Sequence, residues 1–98
     1  MKSEYDLVVV GSGAAGLACA ITAKKLGLEV VVLEKERVFG GTTALSGAVL
    51  WIPLSRHGRA QNAADSVDTV RTYMKSETGR FYDEEAVEAF IENGPKMV

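Results

Sequence analysis

An apolar run, Leu7-Val8-Val9-Val10, leads without a break into Gly11-Ser12-Gly13-Ala14-Ala15-Gly16, and a second apolar run, Val30-Val31-Val32-Leu33, ends on Glu34. Few folds satisfy that order. Two short β-branched runs, separated by one helix length of small residues, predict parallel strands joined by a helical crossover. The second run, being continuous, reads as a buried strand. Each glycine then has its own task. Gly11 makes the tight turn off the first strand, Gly13 keeps a side chain out of the space beside a bound pyrophosphate, and Gly16 lets the helix lie close to the strand. The helix begins where unpaired N–H groups and the macrodipole favour an anion.

Ala14, Ala15, Ala18, Ala20 and Ala23 keep this helix thin. Gly27 is expected to end it, with Lys24 and Lys25 well placed in its last turn. Glu34 stands eighteen residues beyond Gly16. A carboxylate at the end of the second strand can accept both ribose hydroxyls of an adenosine and would repel a 2′-phosphate. The plainer reading of Glu34 is a solvated strand end. A glycine pattern by itself is a weak signal; strand, helix, strand and terminal acid around it turn it into an adenine-dinucleotide site.

Downstream, Lys35-Glu36-Arg37-Val38-Phe39 precedes Gly40-Gly41-Thr42-Thr43-Ala44-Leu45-Ser46-Gly47. An NAD site needs no second glycine pair there. FAD is longer, and the chain must pass close to its pyrophosphate and its flavin end. Gly40 and Gly41 permit that approach, Thr42 and Thr43 offer hydroxyls and N–H groups to phosphate, and Ser46 and Gly47 would lie near the isoalloxazine ring. An ordinary glycine loop is the competing reading of this stretch.

Tyr5–Gly16, Glu34-Lys35 and Gly40–Gly47 resemble the amino-terminal FAD segment of the fumarate reductase and succinate dehydrogenase flavoprotein superfamily. The continuation Ala48-Val49-Leu50-Trp51-Ile52-Pro53 is most similar to its 3-ketosteroid Δ1-dehydrogenase branch. The likeness is specific over residues 5–53 and diffuse beyond. It implies a two-electron oxidoreductase that adds or removes hydrogen across a carbon–carbon bond next to a carbonyl or carboxylate, with hydride passing through flavin N5 and a small molecule as substrate. Carried over are cofactor contacts only: Gly11, Ser12, Gly13, Ala14, Ala15, Gly16, Glu34, Lys35, Gly40, Gly41, Thr42, Thr43, Ser46 and Gly47. Members of the superfamily have a substrate-capping domain and a catalytic acid or base far downstream, and no position here matches those groups.

The expected fold is therefore α/β, an incomplete Rossmann-like βαβ unit followed by a loop and helices, with residues 1–98 forming the first part of an FAD-binding domain. Two strands cannot cover themselves, so the stretch reads as a segment of a longer flavoenzyme, marginally stable alone. A free-standing, non-catalytic dinucleotide-binding module is the alternative from a different class, and an NAD enzyme is a third reading that the second glycine pair disfavours.

Composition narrows the partners. The formal net charge is −2 and the basic residues are scattered, which leaves no footprint for nucleic acid. One cysteine, Cys19, excludes an internal disulfide and is expected to be a packed thiol; with one histidine it makes no metal cluster. Three glycines interrupt the uncharged stretch Leu7–Ala23, and no basic leader precedes it, so a membrane segment is not expected and a cytoplasmic location is.

Residues 49–64 read as a loop, with Pro53 arguing against a central strand. Trp51 is expected to pack under the flavin loop, or else to face substrate. Arg56, His57 and Arg59 read as solvated charges, with an anion-binding role as the alternative. Asp65 or Ser66 is expected to cap a helix carrying Val67, Val70, Tyr73 and Met74, ended by Gly79. Asp83 should cap another carrying Val87, Phe90 and Ile91, stopped at Gly94-Pro95, with Lys96-Met97-Val98 opening a further one. Tyr73 and Tyr82 invite a catalytic assignment, but helical spacing favours core packing.

Overall fold

The computed structural model describes residues 2–61 and 65–98. Contacts divide the chain into two compact units, Met1–Val49 and Leu50–Val98.

The first unit is mixed α/β. Strand β1 (Leu7–Val10), helix α1 (Ala14–Lys25) and strand β2 (Val30–Leu33) follow in order, and the strands pair in parallel with Leu7 opposite Val30 and Val10 opposite Leu33. Both strands occupy the residues expected from their apolar runs. Their lower ends are tied by Asp6, whose N–H donates to the Glu29 carbonyl at 2.9 Å and whose carboxylate accepts the Glu29 N–H at 2.8 Å. At the upper end the Gly11 N–H reaches the Leu33 carbonyl at 2.7 Å.

Strand periodicity decides what is covered. Val9 points toward α1 and is buried, while its neighbours Val8 and Val10 face the other way and are exposed. Helix α1 covers one face of the pair only. Consequently β2 is not the fully buried strand that its composition suggested: Val30, Val31 and Val32 are half-buried and Leu33 is exposed. The helix meets the sheet along Gly16, Ala20 and Ala23, of which Ala23 is buried. Cys19 lies one step round from that stripe and is exposed, contrary to the expectation of a packed thiol. The end of α1 has the hydrogen-bond pattern of a Schellman motif. Gly27 adopts φ +87°, its N–H bonds the Lys24 carbonyl, and the Leu28 N–H bonds the Ala23 carbonyl.

The second unit is helical: α2 (Arg56–Gln61), α3 (Val67–Thr78), a 3-10 turn (Gly79–Phe81) and α4 (Glu84–Met97). Leu54, Val70, Val87 and Ile91 form its core, with Val67, Met74 and Tyr82 packed alongside. The caps are largely those expected. Ser66 accepts the Thr69 N–H at 3.2 Å, Asp83 accepts the Ala86 N–H at 3.0 Å, and Gly79 closes α3. Asp65, the other candidate cap, instead accepts the Leu54 N–H at 2.8 Å. Arg71 of α3 makes a two-pronged pair with Glu88 of α4, at 2.5 and 2.8 Å. It holds the Glu88 carboxyl below its ordinary range, chiefly through these hydrogen bonds.

Three expectations for this half need correction. Residues 56–61 are helical rather than loop, because the Ser55 hydroxyl accepts the Gly58 N–H at 3.1 Å and starts a turn that continues to Gln61; residues 62–64 of that stretch lie outside the described residues. Helix α4 runs through Gly94-Pro95 to Met97. Pro95 falls in the last turn, where its missing N–H forfeits a single ladder bond, and a side chain at Gly94 would come within 3.4 Å of Ile52. Trp51 has aromatic partners in Tyr73, edge-on at 5.2 Å between centroids, and Phe90 at 5.9 Å. Tyr73 is thus half-exposed beside Trp51 rather than in the core, whereas Tyr82 does pack on the core.

Candidate functional site

The first glycine turn is built by two different constraints. Gly11 has φ +98°, and a side chain there would meet nothing within 4 Å; the backbone conformation alone calls for glycine. At Gly16 the reverse holds. A Cβ would stand 2.0 Å from the Gly11 carbonyl oxygen and 3.4 Å from Val9 Cγ1, so helix α1 can lie on β1 only if this position is bare.

Between them, Gly13 is the N-cap residue of α1 and supplies no capping side chain. The cap comes from elsewhere: the Thr43 hydroxyl accepts the Ala14 N–H at 3.1 Å. Ala15 and Gly16 follow in the first helical turn, where N–H groups have no intrahelical partner. No acidic side chain lies in that turn.

The second glycine pair folds back onto this point. Gly40 (φ +113°) and Gly41 (φ +56°) bend the chain into a 3-10 turn, Gly41–Leu45, and a Cβ on Gly41 would lie 3.6 Å from Gly13 Cα. Gly40 is buried, and its N–H donates to the Ser12 hydroxyl at 2.9 Å. Thr43 passes the connection onward, its carbonyl accepting the Ser46 hydroxyl at 2.7 Å, while the Ser46 hydroxyl accepts the Ala48 N–H at 3.2 Å. Residues 11–16, 34, 40, 41 and 43 therefore form one continuous cluster. Ser46 joins it through Thr43, whereas Lys35, Thr42 and Gly47 are exposed around it.

Glu34 is more than a solvated strand end. Its Oε2 accepts both the N–H of Ser12, at 3.1 Å, and the Ser12 hydroxyl, while its Oε1 accepts the Glu36 N–H at 3.1 Å. A carboxylate offers about four acceptor positions. Oε2 thus takes both Ser12 donors, and Oε1 the Glu36 amide. The Ser12 hydroxyl, followed by the Glu36 amide, holds the Glu34 carboxyl below its ordinary range, so the group is ionised at neutral pH. Since its folded value is depressed, the stability it contributes is complete above the ordinary carboxylate range. It is lost as the pH falls through the depressed value.

The donor set suits an anionic diphosphate. A bare Gly13, free N–H groups in the first turn of α1 and the absence of an acid there are what such a group requires. Sequence reasoning missed the two cross-links, Ser12 to Gly40 and Thr43 to Ala14. Hydroxyls at both positions were the available signal, but nothing local names their partners. In the second unit, Trp51, Pro53, Asp65, Thr69 and Tyr73 line a cleft of about 410 Å³. Arg56, His57 and Arg59 are exposed on α2. Among the described residues no cluster of metal-ligating side chains occurs, and no helix is long and apolar enough to cross a membrane.

A parallel βαβ start with two glycine segments converging on one helix terminus marks the class of flavoproteins that take FAD. The chain belongs to the FAD binding domain family, whose model matches residues 6–98. It is 40% identical over 95 residues to 3-oxosteroid 1-dehydrogenase of Mycobacterium tuberculosis, and 45% identical over 93 residues to 4-oxocyclohex-2-ene-1-carboxylate 5-dehydrogenase of Sinomonas cyclohexanicum. These matches cover 97% and 95% of this chain but 17% and 15% of the two relatives. Among solved structures, 3-ketosteroid delta1-dehydrogenase from Sterolibacterium denitrificans, in complex with 1,4-androstadiene-3,17-dione, superposes with a TM-score of 0.78 at 42% identity, over 95% of this chain and 16% of that one. The likeness to the steroid-dehydrogenase branch read from residues 5–53 thus extends along nearly the whole chain. Its relatives are oxidoreductases about six times its length.

Proposed function

We propose that residues 1–98 are the first part of a Rossmann-like FAD-binding domain in an oxidoreductase acting on CH–CH bonds next to a carbonyl or carboxylate, with the capping domain and catalytic acid or base outside this stretch. The observation that carries the reading is the approach of Gly41 to Gly13 at the start of α1. Backbone from two segments meets there, between an N–H-rich helix start and a strand-end carboxylate, the groups that suit a diphosphate and a ribose. When bound, FAD supplies the two-electron chemistry.

Each part of this chain has a separate share in holding the cofactor. The turn Gly11–Gly16 lies against the pyrophosphate, with Ala15 and Gly16 donating N–H groups and Ala14 held in place by Thr43. Glu34 takes a ribose hydroxyl, beside the exposed Lys35. Gly40, Gly41, Thr42 and Thr43 pass along the diphosphate, and Ser46 and Gly47 reach toward the flavin end. Ser12 contributes through the partners it holds. The substrate is a small molecule, a cyclic ketone or an unsaturated carboxylate, as the names of the relatives suggest. A single cysteine asks for no oxidising compartment, in keeping with the cytoplasm.

The complete protein is expected to purify yellow and to reduce an artificial electron acceptor when given a saturated cyclic ketone that can become an enone. Colourless protein that gains no flavin absorbance on titration with FAD overturns the assignment. Flavin binding without turnover of any such ketone would instead favour a non-catalytic dinucleotide-binding module.

Glu34→Ala in that protein is expected to weaken FAD binding on the order of 10- to 100-fold, the usual consequence of losing a charge-assisted hydrogen bond. The same change should flatten the acid limb of the stability–pH curve below the ordinary carboxylate range. Unchanged flavin affinity would remove Glu34 from the site.

A further inference from the structure

Among the described residues Ser12 is the most deeply buried side chain, with 2% of its surface exposed, and it sits in the middle of the glycine turn. Its N–H and its O–H both donate to Oε2 of Glu34. Its oxygen accepts the N–H of Gly40 at 2.9 Å. A serine carries one backbone donor and one hydroxyl donor. Both are committed inside the protein, so Ser12 has no hydrogen left for a phosphate, although it stands inside the phosphate turn.

Its partners belong to two segments far apart in sequence, at separations of 22 and 28 residues. Glu34 ends β2, and Gly40 opens the second glycine turn. No other side chain among the described residues hydrogen-bonds to both. The Gly40 N–H is buried, and a buried donor without a partner is costly. The hydroxyl is also the largest cause of the lowered Glu34 pKa.

We propose that Ser12 is a positioning residue rather than a cofactor contact: its hydroxyl couples the ribose carboxylate Glu34 to the Gly40-Gly41 turn, so that the two ends of the adenosine-diphosphate site are set together before FAD arrives. The inference rests on the FAD reading given above. It adds that the ribose carboxylate and the second glycine turn are held as one preformed unit. A hydroxyl at position 12 becomes a requirement of the site, even though it never touches the ligand.

The test is a double-mutant cycle in the complete enzyme, with FAD affinity read from flavin-fluorescence quenching on the apoenzyme. Ser12→Ala is expected to lower affinity about 5- to 30-fold, the equivalent of one or two lost hydrogen bonds to a charged or buried group. In a Glu34→Ala background the same substitution should cost clearly less, because one of its two partners is already gone. Equal losses in both backgrounds would overturn the coupling, as would an unchanged affinity for Ser12→Ala alone. Gly13→Val, run alongside, separates the two layers. If it abolishes flavin binding while Ser12→Ala does nothing, the cofactor reading stands and the positioning role falls. If it leaves binding intact, the cofactor reading itself falls. A measurement on the unmutated apoenzyme covers the case in which Ser12→Ala does not fold. Hydrogen exchange at the Gly40 amide should be protected before FAD is added, and free exchange there overturns the proposal.

Discussion

Gly16→Ala is expected to detach helix α1 from strand β1 and to cost about 3 kcal/mol or more, toward the upper end of what overpacking does. The added methyl would stand 2.0 Å from the Gly11 carbonyl oxygen. The Gly11 carbonyl is main chain and a Cβ has no torsion to turn it aside, so no side-chain rotation relieves the contact; the helix must lift from the strand. Because the N-terminus of α1 moves with it, flavin should be lost as well. Chemical denaturation and the flavin-to-protein absorbance ratio of the complete enzyme read both effects. A fully loaded variant with an unshifted unfolding midpoint would show that the close approach is dispensable.

Gly13→Val should give the opposite combination, a folded protein that cannot retain FAD. In this chain a Cβ at Gly13 meets only the Thr43 hydroxyl, at an ordinary 3.5 Å. The fold therefore has room for a Cβ, and on the proposed reading the side chain would stand beside the diphosphate. Flavin affinity is expected to drop about 100-fold or more with little change in thermal stability. A variant that binds FAD normally would mean that the ligand lies away from Gly13. The two glycines, three residues apart, are thus distinguished by what they keep clear: one a strand, the other a ligand.

A comparable split separates local from distant interactions elsewhere in the chain. Ser66 and Asp83 were readable as caps because each bonds an N–H three residues ahead. Helix α2 escaped notice because Pro53 and Gly58 argue for a loop, and only the buried Ser55 hydroxyl tips the balance. Pro95 looked like a stop, yet near the end of α4 it removes only one bond. Trp51 could not be placed from sequence, since its aromatic neighbours lie on helices far along the chain.

For the site itself, the amino-acid sequence alone determined the two strands, the glycine turn between them, the acid at the end of β2 and the FAD family. Those depend on hydrophobic runs, backbone freedom at glycine and spacing, all of which act over a few residues. Tertiary structure decided that Ser12 faces Glu34 and Gly40, and that Thr43 caps α1. These links join residues 22 to 29 positions apart. A hydroxyl's identity does not disclose its partner. The pairing of β1 with β2 brings Ser12 to Glu34, and the packing of Gly41 on Gly13 brings the second turn within reach of Ser12 and Ala14.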